Sequence, residues 1–545
     1  LVNTTFRLDE PKNEPIRSYA PGSPEAVSLA QRVASLSKVT QEIPCIVGGE
    51  RIETGELREW HAPHDQGNLL CRYHAATPEV VQRGLEAGRK AWQEWSETPA
   101  HVRASVLLKA ADLLAGPWRD TINASTMLGQ SKTCYQAEID AACELADFWR
   151  FNCYYLLNKI QTDQPASPES MWNYVDYRPL EGFVYAVTPF NFTSIAGNLP
   201  TAPVLMGNVA FWKPSSSSVL SNYYLMELLE EAGLPPGVIN FVPGNPRAIT
   251  QEVLAQPDFA GLHYTGSTEV FQHLWKSVAD NLPSYNTYPR LVGETGGKDF
   301  IFAHASADVE RLVVAALRGA FEYQGQKCSA ASRMYVPRSL WHAFRDRLIA
   351  QLETVRMGDV SDFSNFMGAV INENAFNTIT GAIEGAKKSK DAEIVAGGKS
   401  WKQPGWFIEP TVIHCTDPRF DTMERELFGP VLSVFCYEDD KLDEALALCD
   451  STSPYALTGA IFCRDRVVAE HMATSLRHAA GNFYINDKPT GAVVNQQPFG
   501  GARASGTDDK AGSPLNLVRW IAARTVKETW DAPTDYRYPH MGPRA

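Results

Sequence analysis

The sequence predicts an α/β fold: a doubly wound parallel sheet followed by a second α/β region. Three observations carry this reading. Five short β-rich runs, FVYAV (183–187), VAFW (209–212), VINFV (238–242), FAGLHYT (259–265) and RLV (290–292), alternate with helical segments. Their starts lie 21 to 31 residues apart, matching a parallel strand plus its crossover helix, about 30 residues. From about residue 299 the alternation resumes with FIFAH, RMYVP, VLSVFCY and LTGAIFC. At 545 residues the chain is too long for one ordinary core, and about 150 residues per domain suggests two to four.

Before the first strong strand, the opening forty residues are punctuated by Pro and Ser, and Cys45–Gly55 has the pattern of a hairpin with Gly48-Gly49 in the turn. Residues 78–98 set Val80, Val81, Leu85, Ala87, Ala91 and Trp92 on one helical face, and 101–115 and 136–159 carry similar spacing, so three helices are expected here. The longest uncharged stretch, Gly182 to Trp212, is interrupted by Pro189, Pro200, Pro203, Asn191, Asn198 and Asn208. It reads as buried strand, loop and helix, with no membrane insertion. No internal repeat or low-complexity tract stands out.

Composition narrows the partners. Fifty Lys+Arg against 63 Asp+Glu leave a net charge of −13, which argues against a sequence-independent grip on nucleic acid or an anionic membrane. Small molecules or copies of the same chain remain. Ten cysteines lie nine or more positions apart, so no CxxC pair exists, and reduced thiols in a cytosol or matrix fit best. The chain starts at Leu1 with no Arg-rich amphipathic leader, so a targeting peptide is expected to be absent or already removed.

No two glycines are separated by one residue, which removes the G-x-G-x-x-G phosphate turn. Gly293–Lys298 and Ala396–Ser400 resemble phosphate loops but lack the first glycine in register. His61-x-x-His64 and Cys71-x-x-His74 have metal-like spacing, yet on strands residues three apart face opposite ways, and no metal is expected. No G-x-S-x-G elbow is present. Cys328, in Gly325-Gln-Lys-Cys-Ser-Ala, is the informative thiol. Gly325 permits an unusual backbone, Lys327 adds positive charge, and Ser329-Ala-Ala reads as a helix start whose amides favour a thiolate. Alone, one of ten cysteines is more often an inert buried thiol. Glu294, in Gly293-Glu-Thr-Gly-Gly-Lys298, is a carboxylate at a strand end among glycines, by itself an ordinary loop acid.

Order lifts both readings. Thr188-Pro-Phe-Asn191-Phe, Trp212-Lys213-Pro-Ser, Thr265-Gly-Ser-Thr-Glu269, Glu294-Thr-Gly-Gly-Lys298, Gly325-Gln-Lys-Cys328, Glu426-Leu-Phe-Gly-Pro430 and Pro498-Phe-Gly-Gly501 follow one another along the chain. In this order they resemble the aldehyde dehydrogenase superfamily. Glu138-Ile-Asp-Ala-Ala, Gly481-Asn-Phe-Tyr-Ile-Asn-Asp-Lys and Gln496-Gln-Pro-Phe-Gly-Gly-Ala-Arg-Ala-Ser-Gly resemble its branch that oxidises glutamate γ-semialdehyde. The likeness covers nearly the whole chain.

The resemblance implies NAD-dependent oxidation of that semialdehyde to glutamate in proline catabolism. Cys328 would attack the aldehyde, Asn191 and the Cys328 N–H would hold the oxyanion, and Glu294 would activate the hydrolytic water. On the cofactor it places Lys213 at the adenine ribose, and Gly266, Ser267 and the helix after them at the pyrophosphate. Glu426 falls at the nicotinamide ribose with Phe428 beside it, and Pro189 and Phe190 are also on the cofactor side. Ser216 stands where many members carry an acid that repels a 2′-phosphate, which leaves NAD against NADP open. Lys327, Ser329, Gly491 and Ala492 would bind the substrate carboxylate, Glu144 the amine, and Phe192 and Phe499 the aliphatic part.

The implied architecture is a Rossmann-type NAD-binding domain (1–159 with 180–297), an α/β catalytic domain (298–505) and a β oligomerisation flap (160–179 with the tail 506–545). A homodimer or higher oligomer is expected, in the mitochondrial matrix of a eukaryote or otherwise the cytoplasm. Two rivals stand: a dehydrogenase for another semialdehyde or an aliphatic aldehyde, and a catalytically idle scaffold, against which the Cys328, Glu294 and Asn191 set argues.

Overall fold

In the computed structural model, which describes residues 4–542, the β-rich runs pair as parallel strands. The spatial order of the first sheet is 290–294, 259–265, 183–187, 209–213, 239–241, then Cys45–Val47 and Glu50–Ile52 as an antiparallel margin. Along Phe183–Val187 the side chains alternate between two cores. Val184 and Ala186 join the helices Thr193–Leu205 and Val219–Ala232, while Phe183 and Tyr185 meet Pro78–Trp95, Pro246–Leu254 and Thr268–Asn281. Covering both faces is what lets these strands be apolar throughout.

The second sheet runs, in space, 392–396, 411–415, 431–437, 331–337, 299–303, 458–462 and 482–485, parallel apart from its first strand. Outside both sheets, Met171–Pro179 and Ile521–Thr529 form an antiparallel ribbon of nine residue pairs, with Trp172 exposed on it. No helix among the described residues is long and apolar enough to cross a membrane.

The helical N-terminal part is richer than the three expected segments. Pro24–Leu36 is a helix capped by Ser23, and Arg119–Gln130 is another. The latter is buried on every side from Ile122 to Gln130, so it lacks the polar stripe that betrays a surface helix. The stretch expected as one helix over 136–159 is broken twice by wide i→i+5 turns, at Glu138–Glu144 and Leu156–Ile160.

Glu138 anchors the N-terminal arm. Its carboxylate, fully buried, accepts from the Arg17 N–H at 2.8 Å, the Tyr19 hydroxyl at 2.8 Å and the Asn123 amide at 2.8 Å. Arg119 pairs with it and, at 2.6 Å, with Glu14. Further along the arm, the Asn13 amide donates to Asp147 at 2.8 Å and to the Val494 carbonyl at 3.0 Å. A buried charge left without its partner is costly. Arg119→Ala is therefore expected to lose about 3–5 kcal/mol of stability, read by urea denaturation; a change within error would show that the arm is held without this pair.

Candidate active site

In an open parallel sheet, ligands bind beyond the carboxyl ends of the strands where the winding order reverses. Here that point lies between Phe183–Val187 and Phe259–Thr265. The strands end at Val187, Lys213, Thr265 and Glu294, so Pro189, Phe190, Asn191, Lys213, Ser216, Gly266, Ser267 and Glu294 all gather at this edge. The second sheet presents its opposite edge: Cys328 lies just before Ala331–Pro337, and Glu426 and Phe428 just before Val431–Tyr437. The site occupies the seam between the two edges.

Glu294 ends its strand, and Thr295–Lys298 crosses to the second sheet, which starts at Asp299. A side chain at Gly297 would fall on the Cys328 carbonyl oxygen, and one at Gly296 on the Glu426 carboxylate. The bare backbone lets the three segments meet. Glu426 accepts the Gly297 N–H at 2.9 Å. The Glu294 carboxylate accepts the Gly501 N–H at 3.1 Å, and Cβ atoms at Gly500 or Gly506 would lie 3.2 Å from its oxygens. Glycines therefore cradle it.

The approach to Cys328 is unusual in its backbone. Tyr323, Gln324 and Gly325 all have φ between +53° and +67°, a region costly for residues with a side chain. Buried amide bonds compensate: Gln324 Nε2 donates to the Ser131 carbonyl at 2.9 Å and the Ala369 carbonyl at 2.8 Å, and its Oε1 accepts the Gly368 N–H at 2.9 Å. Asn191 Nδ2 donates to the Gln326 carbonyl at 3.1 Å, which seats the amide against the nucleophile's loop.

Two expectations about this loop are corrected. Residues 328–330 form a turn that runs directly into the strand Ala331–Pro337, so no helix starts at Ser329. Nor does Lys327 lend a free charge, because its ammonium is buried and paired with Glu322 at 3.0 Å. Burial, then the carboxylates of Asp299, Glu294 and Glu426, push the Cys328 thiol well above its ordinary range. Glu294 is also raised well above the carboxylate range, chiefly by burial. In both groups burial favours the uncharged form.

Cys328 opens into a chamber of about 720 Å³ whose wall includes Glu144, Phe192, Lys327, Ser329, Gly491, Ala492 and Phe499. All seven residues expected around the substrate thus share one cavity. Gly491 has φ +89°, and neither its N–H nor that of Ala492 is taken by another group among the described residues. Glu144 accepts from the Ser194 hydroxyl at 3.0 Å, and burial, reinforced by Asp140, raises it to about 8.

Sequence reasoning missed three contributors. Thr490 exchanges a 2.7 Å hydrogen bond with Ser329. Glu322 neutralises Lys327. Asp140, in the wide turn with Glu144, pairs with buried Lys132 at 2.6 Å and accepts the Thr193 and Ser194 N–H groups at 3.0 and 2.9 Å, capping the helix that follows Phe192. Lys132 in turn lies 4.1 Å over the Phe192 ring. The Glu138-Ile-Asp-Ala-Ala run was the only signal for this last group, and its partners lie too far along the chain for spacing to show.

At the cofactor edge Lys213 is buried with no ion-pair partner among the described residues, and burial lowers it to about 8. Ser267 caps Thr268–Asn281, leaving that helix's first amides at the crevice, and Ser216 opens a short turn after Lys213. Phe190 and Phe428 meet edge to face at 5.8 Å across the seam. Away from the site, both ring nitrogens of His74 are engaged, by the Gly55 N–H at 3.1 Å and Glu42 at 2.9 Å.

Residues 52–526 match the family model described as the aldehyde dehydrogenase family. The chain is 52% identical to the mitochondrial delta-1-pyrroline-5-carboxylate dehydrogenase of Dictyostelium discoideum, over 98% of this chain and 96% of that one. It is 47% identical to the human mitochondrial protein of that name, over 97% and 94%. Among solved structures, the NAD-bound delta-pyrroline-5-carboxylate dehydrogenase of Mycobacterium tuberculosis superposes with a TM-score of 0.96 at 51% identity, over 99% of this chain and 100% of that one. With the seam, the cradled Glu294 and the turn at Cys328 found together, the chain belongs to the aldehyde dehydrogenase family.

Proposed function

We propose that the chain oxidises glutamate γ-semialdehyde, the open form of Δ1-pyrroline-5-carboxylate, to glutamate with NAD in proline catabolism. One observation carries this reading beyond the family. The chamber at Cys328 has free backbone amides at Gly491 and Ala492 for a carboxylate, Glu144 for an ammonium, and the aromatic rings of Phe192 and Phe499 for an aliphatic chain. A zwitterionic aldehyde needs all of these, whereas a simple aldehyde needs none. The relatives named above bear that activity in their names.

The residues at the first sheet's edge fit a dinucleotide. Lys213, buried and without an anion, supplies a donor for ribose hydroxyls, and the amides after Ser267 suit a pyrophosphate. Glu426 would hold the nicotinamide ribose with Phe428 beside it, and Pro189 and Phe190 would line the same crevice. When bound, NAD would take up the hydride.

Cys328 reacts as the thiolate, its proton passing to solvent, and its sulfur bonds to the aldehyde carbon. The oxyanion of the resulting thiohemiacetal is held by Asn191 and the Cys328 N–H, each such donor being worth about 3–4 kcal/mol. After oxidation a thioester remains on Cys328. Glu294 takes a proton from water, the hydroxide adds to the acyl carbon, the C–S bond breaks to release glutamate, and Glu294 returns its proton to the departing thiolate.

The same reading takes 1–159 with 180–297 as the cofactor domain, 298–505 as the catalytic domain, and 160–179 with 506–545 as an oligomerisation flap in a homodimer. Trp172, Trp530, Tyr536 and Tyr538, exposed on that flap, suit burial by a second copy. Several relatives are named mitochondrial, and a matrix location is proposed for a eukaryotic source.

Cys328→Ala is expected to reduce semialdehyde oxidation below about a thousandth while NAD binding, followed by calorimetry, stays near wild type; substantial turnover would remove Cys328 from the chemistry. Glu294→Gln should keep much of a single-turnover NADH burst and lose steady-state rate, because the thioester accumulates. Burst and steady state both matching wild type would refute that role.

Glu144 gives a prediction in pH. Its acid form is favoured by folding, so the unfolded chain gives up this proton first and stability falls as pH rises from the usual carboxylate range towards about 8. Glu144→Gln should therefore raise the melting temperature at pH 8 and leave it nearly unchanged at pH 4.5, while raising KM for the semialdehyde. Equal shifts at both pH values would place the effect elsewhere.

A further inference from the structure

Lys327, the cation nearest the nucleophile, is already neutralised by Glu322. The chamber wall holds two other cations, Lys488 and Arg318, and neither has an ion-pair partner among the described residues. Both also line a second, shallower cavity of about 380 Å³ on the outer side. They therefore stand on the boundary between the substrate chamber and the surface.

The 488–489 turn packs on the helix Val309–Phe321: Lys488 Cβ and Pro489 Cδ lie 3.5 Å from where a Cβ of Gly319, next to Arg318, would stand. Further along, Lys488 Nζ comes within 3.3 Å of where a Gly491 Cβ would stand. The ammonium thus lies beside Gly491, whose amide is proposed for the carboxylate.

We propose that Lys488, with Arg318, is a recognition pair at the mouth of the chamber that receives the substrate's α-carboxylate and hands it to the Gly491–Ala492 amides. The inference rests on the proposed function and deepens it. The chain carries −13 overall, and the wall acids Glu14 and Glu322 already hold Arg119 and Lys327. Lys488 and Arg318 are the wall cations left for an incoming carboxylate. Such interactions at a partly exposed rim are modest, which suits a station that must release what it binds.

The test compares glutamate semialdehyde with propanal in wild type, Lys488→Met, Lys488→Arg and the double variant Lys488→Met with Arg318→Met, each checked by thermal melt. Lys488→Met should raise KM for the semialdehyde about three- to fivefold and the double variant about tenfold, with kcat held. Lys488→Arg should restore most of the loss, and propanal should stay within about twofold throughout. A semialdehyde KM unchanged in the double variant, or equal losses on both substrates, would overturn the pair's role while leaving the proposed function intact. A wild-type enzyme with no preference for the semialdehyde over propanal would instead overturn the proposed function and, with it, this inference.

Discussion

The site depends on how closely the backbone of Glu294–Lys298 passes that of Cys328. Five residues carry the chain from the edge of one sheet to the edge of the other, and at Gly297 there is no room for even a methyl group against the Cys328 carbonyl. That approach sets the base and the nucleophile on facing segments, with Glu426 tied to the same crossing through the Gly297 N–H. Glycines recur at the contact for one reason: each marks a place where another main chain, or a carboxylate, occupies the volume of a side chain.

A second constraint is electrostatic. The seam concentrates carboxyl groups in a region of low dielectric, so Glu144, Glu294 and Glu426 are all raised and the Cys328 thiol with them. Such an arrangement opposes stability, and the chain offsets it with buried pairs set just behind the wall, Lys132 with Asp140 and Arg119 with Glu138. The wide turn at Glu138–Glu144 makes this possible. From this one turn Asp140 caps the helix after Phe192 while Glu144 reaches the chamber.

The strands were the most legible part of the sequence, because central parallel strands are apolar on both faces and their spacing is fixed by the crossover helices. The buried helix Arg119–Gln130 was hidden by that same uniform apolarity, and the breaks in 136–159 by the absence of any local signature for a wide turn. In the site, Cys328, Glu294 and Asn191 could be named because each sits in a compact motif. Reading Ser329-Ala-Ala as a helix start failed because the residues after it are committed to the strand Ala331–Pro337. The pairing of Lys327 with Glu322 lay five residues away in sequence, but spacing alone could not choose it over a free ammonium facing substrate. Thr490 and Lys132 are supplied from distant segments and left no mark at all.

The contact between Asn13 and the Val494 carbonyl joins positions 481 residues apart, and Asn13 and Val494 stand in the same chamber wall. Glu138 and Asp147 can hold this segment early, but its contact with Val494 forms only after nearly all of the described chain has been made. Closing so long a loop is slow and entropically demanding, so both sheets can be assembled while this wall is still open. Competence to retain substrate is then a late event in the life of each molecule, acquired when the leading segment finds the trailing one.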